Sequence, residues 1–240
     1  MMNIINGRPM TIIETTDFLS ELTKSPDYKK ISKLIDTEYS KFSLENLKIK
    51  ATFVSDLYTT NKKLNVGKMI YFISEDKKLV FHAFGYNEVD STEVTYSLGV
   101  DILEGNELKQ LDVKKGRTHV TNSPYDGVDL DVDVETPPFH DETYTPGETN
   151  SKITTAWDPT EFCAPGGYQH CGKNCGYNMA RGGGAPINEL DECCVAHDRC
   201  WANFGEGNCE CDGILENCAR RYRTQYYIIA NAIIIYFEGC

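Results

Sequence analysis

All ten cysteines of this chain fall between Cys163 and Cys240, and the 162 residues before them contain none. Ten cysteines among the last 78 of 240 residues is about 13%, above the roughly 8–10% that marks a disulfide scaffold. A chain built this way is not one uniform domain. Its last third belongs to a small unit stapled by disulfides or by a metal, and the part ahead of it is long enough to bury a conventional core.

Charge divides nearly as sharply. Residues 1–120 carry 17 Asp and Glu against 17 Lys and Arg, residues 121–162 carry ten against one, and residues 163–240 carry nine against six. The net charge of −12 is therefore concentrated, as −9, in the middle segment. No basic face is evident, so nucleic acid is not an expected partner. A hydrophobic content of 40% excludes a disordered tail, and the apolar runs are too short for a membrane bundle.

In residues 14–47, Phe18, Leu19 and Leu22, then Ile31, Leu34 and Ile35, recur at helical spacing, with Ser25-Pro26-Asp27 as a break and cap between one or two helices. From Ile49 the period changes to two. Segments 49–54, 68–73, 79–84 and 94–96 read as short strands separated by polar turns. Residues 1–120 are thus expected to form a small α+β domain with an antiparallel meander. Residues 121–162 hold five of the nine prolines and the acidic run Asp126–Glu135, and read as an extended acidic linker; Val-Asp alternation at 128–134 suits at most an edge strand.

Residues 163–240 carry the chemistry. Asn188 is a plausible N-cap, with Asp191 in the first turn of the helix that follows. Within it Cys193, His197 and Cys200 fall at i, i+4 and i+7 and share one stripe, while Asp198 lies about 100° around. A second helix begins near Cys209, with Cys211, Leu215, Cys218 and Tyr222 along its seam. If cysteines of the two helices are cross-linked, the helices form an antiparallel pair with Asp212 near the His197 stripe. A histidine with one carboxylate beside it and another across the pair is a catalytic arrangement: one Asp can hold a metal, and the other can fix the imidazole tautomer.

The pattern Cys171-Gly172, then Cys193-Cys194-x-x-His197-Asp198-x-Cys200, then Cys209-x-Cys211-Asp212-x5-Cys218, resembles the secretory phospholipase A2 signature over residues 168–220. The resemblance implies an all-α, disulfide-stapled domain that hydrolyses phospholipid sn-2 esters at a membrane surface. It implies His197 as general base on water and Asp212 as its hydrogen-bond partner. It also implies Ca²⁺ held by the Asp198 carboxylate and the backbone carbonyls of His170, Gly172 and Asn174, hard oxygens of the kind Ca²⁺ prefers. Bridges Cys171–Cys194, Cys193–Cys218 and Cys200–Cys211 follow from the same resemblance, and Cys163, Cys175, Cys209 and Cys240 stay unpaired by it.

The chain departs from the family at three places. Asn174 stands where many members have Gly, His170 and Trp201 replace common tyrosines, and only 14 residues separate His197 from Asp212, as in compact microbial members.

Other arrangements compete. Cys171, Cys175, Cys193 or Cys194 and His197 could assemble a Cys₃His zinc site, although adjacent cysteines on one helix point apart and suit two bridges better. The fold could have lost activity, or the C-terminal domain could be a non-enzymatic toxin or antimicrobial module. Residues 1–120 would then be its pro-region, or an intramolecular inhibitor of the enzyme. The apolar run Tyr226–Phe237 reads as a core helix or strand, with an interfacial lipid-binding face as the alternative. Arg220, Arg221 and Arg223 read as a solvated helix end, and His82 and His140 carry no assigned role. The disulfide pattern points to secretion. The opening MMNIINGRPMTIIETTDF lacks the charged start and long apolar run of a Sec signal, so non-classical export, lysis or a specialised system is expected.

Overall fold

The computed structural model describes residues 3–39, 42–58, 63–125, 127, 130–131, 141–149 and 161–237. The chain forms two compact units, one of Arg8–Ser55 with Val66–Val132, the other of Met1–Gly7 with Asp56–Asn65 and Asp133–Cys240. Seven strands, β1 (Asn3–Arg8), β2 (Leu47–Tyr58), β3 (Leu64–Ser74), β4 (Leu79–Glu88), β5 (Thr95–Glu104), β6 (Glu107–Lys114) and β7 (Arg117–Pro124), lie in one sheet in sequence order. The expected meander is present, with three strands more than the apolar alternation marks.

Helices α1 (Ile12–Leu22) and α2 (Pro26–Glu38) begin at side-chain caps. At α1 the Glu14 N–H donates to Thr11 Oγ1 and the Thr11 N–H donates to the Glu14 carboxylate, a reciprocal box that satisfies two otherwise orphaned donors. Arg8 grips the same carboxylate through both terminal nitrogens, at 2.8 and 2.9 Å, and holds Glu14 down to about 2 in pKa. Ser25 caps α2 and Pro26 occupies its first turn, so the expected break is a cap. Asp27 then accepts hydrogen bonds from the Lys115 and Gly116 N–H groups and ties this helix start to the β6–β7 turn.

One face of the sheet is apolar. Phe81, Leu98, Val100, Leu111 and Val113 are buried there, with Ile31 and Ile35 of α2 also buried in this unit. The row His82↔Gly99↔Asp112↔His119 crosses the opposite face in register. A Cβ on Gly99 would stand 2.2 Å from the His82 ring and 2.6 Å from Asp112, so only glycine fits between these polar side chains. Nearby, Gln110 Nε2 donates to buried Asp101 at 2.7 Å. Strand β7 was not legible as apolar alternation because its lone large apolar residue, Val120, is half exposed. The two-residue turns Gly105-Asn106 and Lys115-Gly116, with positive φ at Gly105, Lys115 and Gly116, are the hairpin signals that mark β6 and β7.

In the other unit Asp56 is fully buried. Its carboxylate accepts from Tyr144 OH at 2.6 Å, from Gly147 N–H at 2.7 Å, and from the Thr149 N–H and hydroxyl. Residues 141–149 of the acidic stretch are therefore packed and hydrogen-bonded, with Tyr144 buried, and are not an extended tether there. Most of the Val-Asp alternation at 128–134 and residues 150–160 lie outside the described residues.

Three helices follow: α3 (Glu189–Phe204), α4 (Cys209–Arg221) and α5 (Tyr227–Phe237). Asn188 caps α3 through the Asp191 N–H, as expected, and Asn208 caps α4. Disulfides Cys171–Cys194, Cys193–Cys218 and Cys200–Cys211 have the expected pairing; Cys163–Cys175 is a fourth, and Cys209 is disulfide-bonded too. These bonds overturn the zinc alternative, since Cys171, Cys175, Cys193 and Cys194 have no free thiolate to offer. Closing loops of 11 to 25 residues, each bridge contributes about 2–4 kcal/mol. Bridges in this number suggest a secreted or extracellular protein.

Helix α5 is apolar apart from buried Asn231 and largely buried, with Tyr236 half exposed, which makes it mainly a core helix. Among the described residues no helix is long and apolar enough to cross a membrane. The solvated-helix-end reading of the arginines is corrected at two of its three positions. Arg221 is exposed, but Arg220 and Arg223 are buried, Arg220 against Glu216 at 2.6 Å. Charge that reads as solvated in sequence is paired inside the fold.

Candidate active site

The loop ahead of α3 is shaped by one carboxylate. Asp191, buried in the first turn of α3, accepts from the backbone N–H groups of Gln169, His170, Cys171 and Ile187 at 2.8 to 3.2 Å. A charged acceptor with four donors is a strong anchor, and the helix N-terminus adds favourable field. The sequence placed Asp191 only in the first helical turn; its role in shaping the loop depends on donors about twenty residues upstream. Asp191→Ala strands four N–H groups in a buried position and is expected to cost about 3 kcal/mol or more, read as a thermal midpoint lower by at least 5 °C.

Behind that anchor the loop takes conformations few residues allow. Gly172 has φ 144°, and a Cβ there would meet the Phe162 carbonyl at 2.0 Å. Asn174 adopts the left-handed region at φ 54°, so the departure from glycine is accommodated. Gly176 lies so close to Asp198 that a Cβ would come within 2.5 Å of Oδ2.

On the adjoining helices His197 Nε2 stands 2.8 Å from Asp212 Oδ1, with both side chains nearly buried. An ionised carboxylate only accepts, so Nε2 carries the proton and Nδ1 holds the lone pair. The Cys200–Cys211 bridge joins the two helices beside this pair. Trp201 Nε1 donates to the same Asp212 oxygen at 3.0 Å, and its ring packs 4.3 Å from the imidazole, with Phe237 on another side at 5.1 Å. The indole therefore supplies a donor that the loss of a phenol would have removed. Burial pushes His197 below its ordinary value of 6.5, with Asp212 pulling the other way, so the imidazole is neutral at pH 7.

A cavity of about 320 Å³ is lined by His170, Gly172, Asn174, His197 and Asp198, with Trp201 beside them. Five of the six residues expected from the sequence thus share one cavity, and Asp212 stands behind His197. No protein-family model, no curated protein and no solved structure matches this chain.

The donor set also bears on a cation. Among the described residues no three His, Cys, Asp or Glu side chains cluster as a metal site, so any ion here leans on backbone oxygen. The carbonyls of His170 and Gly172 accept no hydrogen bond among the described residues, whereas Asn174 O accepts from the Arg181 N–H at 3.1 Å and has one lone pair spare. Asp198 Oδ2 is buried without a hydrogen-bond partner, and burial raises the carboxyl to about 6. A buried carboxylate without a donor, beside free carbonyls, fits a hard divalent ion such as Ca²⁺.

Proposed function

We propose that the chain is a Ca²⁺-dependent hydrolase of phospholipid sn-2 esters, releasing a fatty acid and a lysophospholipid, built on a phospholipase A2-like domain. The observation that carries this reading is the His197–Asp212 pair, at 2.8 Å, opening onto the cavity that also holds Asp198 and the Gly172 loop. A neutral imidazole with its lone pair on Nδ1 takes a proton from water as that water attacks an ester carbonyl. Asp212 then stabilises the imidazolium, with Trp201 holding the carboxylate in place, and the same proton passes to the departing alkoxide. Water is the nucleophile, so no acyl-enzyme forms. His170, Gly172, Asn174 and Asp198 would hold the ion, which when bound supplies Lewis-acid polarisation of the ester carbonyl and charge stabilisation of the oxyanion. The cavity wall is apolar at Leu215 and Phe237, and Met179 and Tyr236 line it while half exposed to solvent, as suits a substrate delivered from a lipid surface.

Fatty-acid release from phospholipid vesicles by the oxidised protein is expected to stop with EDTA and to return with added Ca²⁺. Absence of release with Ca²⁺ present, from protein shown to carry its disulfides, defeats the proposal.

A further inference from the structure

His170 is nearly fully buried, and its imidazole is oriented by two neighbours. Nε2 lies 2.9 Å from the Gly184 carbonyl, and the Tyr177 ring packs at 4.4 Å. A carbonyl only accepts, so Nε2 carries the hydrogen, and in the neutral ring Nδ1 is a bare acceptor. That Nδ1 has no hydrogen-bond partner and faces Asp198 Oδ2, also buried without one, at 3.7 Å. With the ring neutral, two acceptors point at each other with nothing between them to share, and with a proton on Nδ1 the 3.7 Å separation is still longer than a hydrogen bond.

Something positive belongs in that gap. A proton held between them would draw the atoms to about 2.7–2.9 Å, the length of a charge-assisted hydrogen bond. Two ligands about 2.1–2.4 Å from one shared ion are 3.7 Å apart when they subtend roughly 100–125° at it, an angle common to divalent metal sites. The Gly184 contact completes the pattern, since a metal-ligating histidine almost always donates its other ring N–H to a carbonyl or carboxylate.

The geometry points to His170 Nδ1 as a side-chain ligand beside Asp198, making this a mixed nitrogen and oxygen site that takes a divalent transition ion such as Mn²⁺ or Zn²⁺ more tightly than Ca²⁺. Imidazole nitrogen favours such ions, whereas Ca²⁺ gains little from it. The inference rests on Asp198 holding a cation but not on hydrolysis, so binding can test it alone.

The probe is MnCl₂ added to the full oxidised chain, read by electron spin echo modulation and by affinity relative to Ca²⁺. Wild-type protein is expected to show nitrogen coupling to Mn²⁺ that changes to the ¹⁵N pattern when its histidines are ¹⁵N-labelled. His197 lines the same cavity, so the coupling must persist in His197→Gln and vanish in His170→Gln, with the Mn²⁺ preference over Ca²⁺ falling about tenfold or more. Mn²⁺ bound without nitrogen coupling, or coupling that survives His170→Gln, overturns the ligand assignment and leaves the Ca²⁺ reading standing. Failure of the wild-type chain to bind either ion overturns both.

Discussion

His197→Gln lowers fatty-acid release from vesicles about 10³-fold or more while the protein keeps its fold. General-base catalysis contributes about 10²–10⁴-fold, and glutamine offers no group that titrates in water. The amide can still donate a hydrogen bond towards Asp212, so the buried carboxylate keeps partners and the thermal midpoint should move by only a few degrees. The pH profile adds a second constraint. The base must be neutral, and burial sets His197 below 6.5, so activity should persist on the acid side further than a free imidazole allows. Release within tenfold of wild type would remove His197 from the chemistry.

Asp198→Asn gives a more stable chain with no cation response. The Asp198 carboxyl is raised from 3.8 to about 6 by burial, with the nearby His170 opposing the rise. A carboxyl whose folded value lies above its unfolded value holds its proton longer in the folded state. Stability without metal therefore falls as pH rises from about 4 to about 6, and the penalty is complete above 6. With the side chain still 19% exposed, solvent screening brings that penalty to about 2 kcal/mol. Asparagine removes it, so in EDTA at pH 8 the variant should melt several degrees above wild type, with little difference at pH 4. Saturating Ca²⁺, at about 100 times Kd, should add about 2.7 kcal/mol to wild type and nothing to the variant, and hydrolysis should fall at least 10²-fold. A variant no more stable than wild type in EDTA would show that the carboxylate carries no unpaid desolvation.

The pairing of His197 with Asp212 was legible in the sequence because local spacing expresses its constraint. Helical periodicity puts His197 on the cysteine stripe, and Cys211 carries Asp212 to it. What stayed hidden depends on partners far along the chain. Asp191 anchors the loop through donors about twenty residues upstream, and Asp56 gathers donors 88 to 93 residues away. Arg223 is a formal charge that the fold encloses completely. Strand β7 has no apolar face to advertise, and only its turn signals it. Periodicity reports which residues meet oil and which meet water; it says little about polar groups that meet each other.

The Trp201 contact bears on chemistry at high pH. An indole N–H does not ionise anywhere in the aqueous range, whereas a phenol in its place would begin to lose its proton near 10. A phenolate beside Asp212 would set two negative charges against each other and pull the imidazole out of line. Here the donor at 3.0 Å stays a donor in alkali. This donor to the carboxylate is thereby indifferent to alkalinity. An alkaline limit on this protein must come from a group other than Trp201, such as the Tyr236 phenol, which burial and the Asp212 charge hold protonated.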